Sequence, residues 1–473
     1  MLLALVAIIT ILVYLYLTKK VKKVPFKNNF KEDELEILEL TTTEKEGNIL
    51  TTPAISSITL YQGDITSKFS LSDQVLMILK ANPWLAGRLV YHQFSGRKKK
   101  EIVLKYPRNF PDTKLKDHYF EKWISSTEFH EKLAFDRLWE ITSPFLCKSG
   151  KDSTDNDEIL FKIIIFKIYD ANNNESQSNR KVIRTALVCS MSHVIGDGHT
   201  FYHVYGFLDG HAPVESLIIK RDTSYPSCVN KERGEFYEKG LKSWKLKAAI
   251  IIRRLFFAKP VFVKVFLVNQ ELLNEKKREY LNTIQQSTSP LSSTKTTSSS
   301  IGIHREKRNI LSSNDILTSL FFNKLNVLYG LMAINFRGRK KEYTNNHAGN
   351  YQGPLIYSQE DYQSPFGIRQ ALLNNYSAPN TKFPENFHIF CKFEPTLITN
   401  WSSFYIHLKF PGMNSHIYHV PLMYNNTVIC DTCVIFKKDP EQLALLTLIR
   451  EKNIFQTFTE SYLEEDFVLS PQL

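Results

Sequence analysis

Two long apolar runs with a polar gap between them are the first landmark. Leu160 to Ile168 and Val182 to Met191 read as a pair of buried strands, and the hydrophilic stretch Tyr169 to Lys181 reads as their connecting loop. Upstream, Glu34 to Leu40, Ser56 to Gln62 and Ile102 to Tyr106 carry shorter strand patterns. Leu71 to Lys80 has helical spacing, with Ser70 placed to cap it and Asp73 three residues on; Asn82-Pro83 stops it. A further helix is expected to start near Thr200.

The C-terminal part opens on Leu311 to Leu320, where Ser312 or Ser313 caps a helix with Ile316, Leu317, Leu320 and Phe321 on its apolar face. Strand patterns follow at Leu331 to Phe336, His388 to Phe393, His416 to Leu422 and Thr427 to Phe436, and a last helix is expected from about Pro440 to Glu451. Strands and helices mix without strict alternation, which predicts an α/β or α+β fold built on mixed sheets. Residues 285–300 are rich in Ser and Thr and read as a linker.

Met1 to Leu17 is apolar apart from Thr10 and is followed by Lys19, Lys20, Lys22 and Lys23. Seventeen residues make a helix of roughly 26 Å, near the lower limit for crossing a bilayer. A cleaved signal peptide would carry its positive charge before the apolar run and a small-residue cleavage site after it, and neither is present. The reading is a single-pass transmembrane anchor over 1–18, in the endoplasmic reticulum, with the lysines and the body of the chain facing the cytosol. Sequons at Asn174, Asn375, Asn400 and Asn425 go unused in that orientation.

The net charge of +12 suits an anionic partner, whether nucleic acid, lipid head groups or a phosphate-bearing cofactor. No nucleic-acid-binding signature is present, so nucleic acid is set aside. Leu241 to Val268 holds seven Lys or Arg and no acidic residue, interleaved with large apolar residues. It reads as a basic interfacial helix against membrane lipid or as an ordinary packed linker helix, broken near Pro260. Six cysteines are too few for a disulfide framework in 473 residues. Cys430 and Cys433 read as two thiols in a strand, and His199 and His203 as core or surface histidines, so no metal site is expected.

At the end of the second buried run lies His193-Val-Ile-Gly-Asp-Gly198. A strand end holds an imidazole still, and an imidazole titrating near neutrality suits removal of a proton from an alcohol or amine. The bare pattern H-x-x-x-D-G arises by chance, and the reading gains weight from three further stretches in order. These are Leu79 to Leu89 with Pro83-Trp-Leu-Ala-Gly-Arg88, the helix from Leu311, and Ile334-Asn-Phe-Arg-Gly-Arg339 followed by Gly349-Asn350. Together they resemble the chloramphenicol-acetyltransferase-like superfamily of coenzyme-A-dependent acyltransferases, which includes the BAHD enzymes, alcohol acyltransferases, wax-ester synthases and condensation domains. Two departures stand out. Ser192 replaces the first of the paired histidines of wax-ester synthases, and Lys409 to Asn414 lacks the Asp and Trp of the C-terminal BAHD signature.

The resemblance implies two similar α/β halves around a central tunnel, here 30–210 and 301–473, with 211–300 connecting them. It implies acyl-CoA as donor substrate, no permanently bound cofactor, and His193 as general base. It gives Asp197 a structural role beside an arginine, Arg337 or Arg339. Gly196 and Gly198 free the turn and keep side chains out of the channel. Asn350, Trp401 and Ser402 are candidates for contact with substrate or cofactor, within a region Asn400 to Ser403 that also suits an oxyanion donor. Lys340 and Lys341 are either phosphate contacts or a solvated loop. The anchor favours a lipophilic acceptor such as a long-chain alcohol, sterol or diacylglycerol. Condensation-like N-acyl transfer and a catalytically silent membrane-tethered relative are the alternatives.

Overall fold

The structure, a computed structural model, describes residues 32–45, 48–171, 180–233, 237, 260–287, 311–374, 376–382, 396–411, 416–423, 430–458 and 463–466. The expected anchor, the basic stretch as far as residue 259, the greater part of the Ser/Thr-rich segment, the strand at His388 to Phe393 and the sequons at Asn174, Asn375 and Asn425 lie outside the described residues. Among the described residues no helix is long and apolar enough to cross a membrane.

In chain order the described strands are β1 (Leu35–Glu39), β2 (Ile55–Gln62), β3 (Arg88–His92), β4 (Glu101–Pro107), β5 (Tyr119–Ser125), β6 (Phe161–Tyr169), β7 (Val182–Met191), β8 (Phe262–Val268), β9 (Tyr329–Asn335), β10 (Gln352–Ser358), β11 (Thr396–Asn400), β12 (His416–Pro421), β13 (Asp431–Lys437), β14 (Leu443–Ile449) and β15 (Leu463–Glu465). They form three sheets, ordered β1-β4-β3, β12-β2-β7-β6-β5 and β10-β9-β11-β13-β14-β8-β15. Parallel and antiparallel pairs mix: β5 runs parallel to β6 and β11 parallel to both its neighbours, while β7 is antiparallel to β2 and β6. The fold is therefore mixed α/β.

Two features of this topology bear on the site. First, β7 is the middle strand of its sheet, and the residues from Thr185 to Met191 are all buried. Its end is thus fixed from both sides, with Met191 opposite Ile55 on β2 and Phe161 on β6. Second, β12 comes from late in the chain yet pairs with β2, so the C-terminal region completes the sheet that carries the motif.

The seven-stranded sheet is buried on both faces, and alternate residues serve different cores. Val434, Phe436, Ala444, Leu446 and Leu448 join the core that holds Val188, Ile195 and Trp401. Cys433, Ile435, Leu445 and Ile449 join the opposite core, with Phe321, Phe322 and Tyr357. Cys430 immediately precedes β13 and is half-buried.

Two expectations are corrected, and one element is new. The helix expected from Pro440 to Glu451 is strand β14. The run from Leu443 to Ile449 is apolar on both faces apart from Thr447, and a strand between two neighbours, covered above and below, accepts such a run where an amphipathic helix does not. Phe262 to Val268, included in the basic helical segment, is strand β8 beyond the Pro260 break, paired with β14 and β15. The large sheet thus draws a strand from the stretch read as a connector. The helix Gln270–Ser287, which overlaps the first residues of the Ser/Thr-rich segment, was not anticipated.

Candidate active site

Immediately after β7 the chain turns. Ser192 N donates to the Leu160 carbonyl at 2.8 Å, continuing the ladder for one residue, and Ile195 N donates back to Ser192 O at 3.1 Å. His193 sits in this turn, half-buried. Asp197 then caps the helix Gly198–Gly206, with its Oδ1 accepting from Thr200 N at 3.0 Å. The helix start is tightly packed against late sequence. A Cβ on Gly198 would stand 3.2 Å from Trp401 Nε1, so the absence of a side chain admits the indole over the motif. Trp401 is itself tied to β13 by its N–H to the Ile435 carbonyl at 2.8 Å, and is buried.

Asp197 is almost fully enclosed, and its second oxygen, Oδ2, accepts from Arg337 Nη1 at 2.7 Å and from Tyr351 N at 3.0 Å. Arg337 spends its other donors on His347 O at 2.7 Å, Gly349 O at 2.7 Å, Asn335 Oδ1 at 3.1 Å and Thr200 Oγ1 at 3.1 Å, and lies 5.0 Å from the Tyr351 ring centroid. Of the two candidate arginines, Arg337 is thus the one beside Asp197; Arg339 lies over the Tyr376 ring instead. Burial alone would push the Asp197 carboxyl up, but the Arg337 charge and the donors around it hold it below its usual value.

A second buried ion pair flanks the same turn, and the sequence reading missed it. Glu44 and Arg221 meet at 3.1 Å with both side chains fully buried. Arg221 also donates to Ile195 O at 2.9 Å, Ala348 O at 2.6 Å and Ile219 O at 2.9 Å. Glu44 closes a capping box with Thr41: Thr41 N donates to Glu44 Oε2 at 2.9 Å and Glu44 N to Thr41 Oγ1 at 3.3 Å. The Thr41-x-x-Glu44 spacing is a signal that would have singled out Glu44; Arg221 carries no local signal.

Between the two pairs runs Ala348 to Tyr351, and its backbone is bonded almost atom by atom to the motif. Gly349 O accepts from Arg337 and from Asp197 N (3.2 Å), Asn350 N donates to Glu44 Oε1 at 3.0 Å, and Tyr351 N donates to Asp197. Gly349 has φ +124° and its missing Cβ would fall 2.6 Å from the Arg221 guanidinium, so both conformation and space require glycine there.

Asn350 is buried against the motif itself. Its Nδ2 donates to His193 O at 2.9 Å, to Glu44 Oε1 at 3.2 Å and to Val194 O at 3.3 Å. Ser402, the remaining predicted contact residue, bonds through its N and Oγ to Asn400 Oδ1 at 2.9 and 2.7 Å, while Asn400 Nδ2 donates to Asn314. Lys340 is half-buried and Lys341 exposed, in the turn after Arg337. His199 and His203 lie on one face of the helix, ring centroids 6.0 Å apart, and no cluster of potential metal ligands occurs among the described residues.

The His193 ring is held neutral. Burial lowers its pKa from the ordinary histidine value, opposed in part by its own backbone carbonyl and by Asp197, Asn350 and Glu44. Its Nδ1 is shut off from solvent with no hydrogen-bond partner. A neutral imidazole, fixed at a strand end and partly accessible, is chemically a base with one nitrogen available.

No family model matches the chain, and no curated protein matches it. Solved structures do. TRI101 of F. sporotrichioides, solved with coenzyme A and T-2, aligns over 91% of this chain and 99% of its own, at 10% identity and a TM-score of 0.55. Vinorine synthase aligns over 94% and 97%, at 12% identity and 0.50. The condensation domain of the monacolin K polyketide synthase MokA aligns over 90% and 96%, at 10% identity and 0.50. The fold is thus the one these three proteins share.

Proposed function

We propose that this protein is an acyl-CoA-dependent acyltransferase with His193 as general base. The observation that carries the reading is the His193 turn: a neutral imidazole at the end of a central strand, with Asp197 locked away on Arg337. The shared fold, which in TRI101 accommodates coenzyme A, supports the same reading.

In this reaction the acceptor hydroxyl attacks the thioester carbonyl while His193 Nε2 takes its proton. A C–O bond forms as the carbonyl opens to a tetrahedral intermediate. The intermediate collapses, the C–S bond breaks, and the imidazolium returns the proton to the departing thiolate. No acyl-enzyme is formed. Asp197 takes no part in proton transfer, because both its oxygens are committed to Arg337, Thr200 and Tyr351. The two halves, 30–210 and 301–473, enclose a tunnel in this reading, and donor and acceptor enter from opposite mouths. Asn400 to Ser403, beside Gly198, contribute to the tunnel wall and to oxyanion stabilisation.

The acceptor proposed is a lipophilic alcohol, sterol or diacylglycerol, and the protein is held at the cytosolic face of the endoplasmic reticulum by residues 1–18. The apolar run followed by four lysines supports that placement. Initial-rate kinetics test the direct transfer. Varying acyl-CoA at several acceptor concentrations is expected to give intersecting double-reciprocal lines; parallel lines, with a labelled acyl group retained on the protein, would overturn it.

A further inference from the structure

Three consecutive carbonyls of the motif turn, those of His193, Val194 and Ile195, each accept from a side chain brought in from elsewhere in the chain. Asn350 Nδ2 donates to His193 O at 2.9 Å and to Val194 O at 3.3 Å, and Arg221 Nη2 donates to Ile195 O at 2.9 Å. Both donors lead back to one carboxylate. Glu44 Oε1 accepts from Arg221 Nε at 3.1 Å, from Asn350 N at 3.0 Å and from Asn350 Nδ2 at 3.2 Å. Its Oε2 accepts from Thr41 N at 2.9 Å. The side chains of Glu44 and Arg221 are fully buried, and replacing such a pair by apolar side chains of similar bulk is often neutral or stabilising. Stability alone therefore gives no reason for a carboxylate here. What it supplies, and an apolar side chain does not, is direction: it turns the guanidinium fork and the carboxamide so that their remaining N–H groups meet the three carbonyls.

We propose that Glu44 is a positioning residue for His193: through Arg221 and Asn350 it fixes the backbone of residues 193–195, and so the place of the imidazole against the acceptor hydroxyl. The inference rests on His193 acting as general base. Glu44 acts only through its two donors and takes no part in the proton transfer. The two buried carboxylates divide the motif between them. Asp197 caps the helix that leaves the turn and is held there by Arg337, while Glu44 commands the carbonyls with which the turn begins. A Cβ at position 349 would stand 2.6 Å from the Arg221 guanidinium, so the glycine is what lets Asn350 and Arg221 reach the turn together. A displacement of about 1 Å at a reacting group costs on the order of 10²-fold in rate, even when its cause lies far from the chemistry.

The test uses the full chain in detergent, as wild type, Glu44→Gln and Glu44→Leu/Arg221→Met, with activity expressed per folded molecule. Glu44→Gln keeps an oxygen for Arg221 and Asn350 but strands a buried charge, so it is the less stable variant. The double variant strands no charge, yet it removes the carboxylate and the donor to Ile195 O together. The order of activity is therefore expected to be the reverse of the order of stability. In the double variant kcat should fall by about 100-fold. Its KM for acyl-CoA should stay at the wild-type value, the mark of a loss confined to the transition state. Glu44→Gln should lose less. A merely structural role makes kcat follow stability, with the double variant the more active, and that result overturns the proposal. Should either variant fail to accumulate, Arg221→Lys replaces it. The lysine keeps a charge for Glu44 but lacks the fork that joins Glu44 to Ile195 O, so kcat should still fall at unchanged KM; wild-type kcat overturns the proposal. Full activity in His193→Ala would instead remove the base reading itself, whereas a wild-type kcat in the double variant beside an inactive His193→Ala removes the role of Glu44 alone.

Discussion

Asn350 and Glu44 lie 306 positions apart in sequence, yet the Asn350 N–H donates to Glu44 Oε1 at 3.0 Å inside a pair of fully buried charges. That contact ties the C-terminal region to the start of the chain at the one place where the motif turn needs support. With Asp197–Arg337 on the other side, the turn is held between two buried ion pairs that share the strip Ala348 to Tyr351. The expected consequences are separable.

Asp197→Asn leaves the Arg337 charge buried without its counter-ion. Loss of one partner from such a pair costs about 3–5 kcal/mol. The variant should unfold at correspondingly lower denaturant while keeping the same denaturant dependence. A stability within 1 kcal/mol of wild type would mean that Arg337 is far better solvated than its burial implies.

Glu44→Gln should destabilise by a similar amount, about 3–5 kcal/mol, by stranding Arg221. The double variant Glu44→Leu/Arg221→Met removes both charges, and it should recover part of that loss because no uncompensated charge remains. A double-mutant cycle in chemical denaturation reads the coupling; additive losses would argue against direct pairing.

The acid limb of kcat/KM should lie below the ordinary histidine value of about 6.5. Burial lowers the His193 pKa, so the neutral, basic form persists to lower pH than in a free histidine. Activity is then present above the lowered pKa and lost as pH falls through it. A limb at or above the free-histidine value would contradict the neutral ring.

His419 offers a stability test away from the chemistry. It is fully buried on β12, bonded to Thr59 Oγ1 at 2.8 Å and to Tyr202 OH at 2.9 Å, and burial lowers its pKa to about 3. Below the unfolded value the unfolded chain takes up a proton that the folded one refuses, so stability falls as pH falls. Between pH 7 and 5 this one group should account for about 2 kcal/mol of lost unfolding free energy. His419→Gln should flatten that slope, measured by urea unfolding at the two pH values, whatever its effect at pH 7.

Some of this was legible in the sequence and some was not, for physical reasons. The bounds of β7 and the turn after it are local: an apolar run ends where His193 begins, and Asp197 caps a helix from its own side chain. Of the two serines that local spacing offered as a cap, Ser312 caps the helix Ser313–Leu325, and it does so through a capping box with Asp315. By contrast, β14 does not follow the helix expected there, because a run apolar but for Thr447 loses the period that separates strand from helix. The Glu44–Arg221 contact joins positions 177 residues apart, and no periodicity encodes it. The choice of Arg337 over Arg339 is likewise tertiary. The two differ by two positions, and only the packing of the following turn sends one to Asp197 and the other over Tyr376.

The most direct measurement is acyl transfer by membranes carrying equal amounts of wild type or His193→Ala. Labelled acetyl-, octanoyl- and palmitoyl-CoA are offered with pooled alcohols, sterols and diacylglycerol. The account predicts a labelled ester from wild type, reduced by about 10²–10⁴ in the variant, the usual effect of removing a general base. Equal ester formation by both would contradict it.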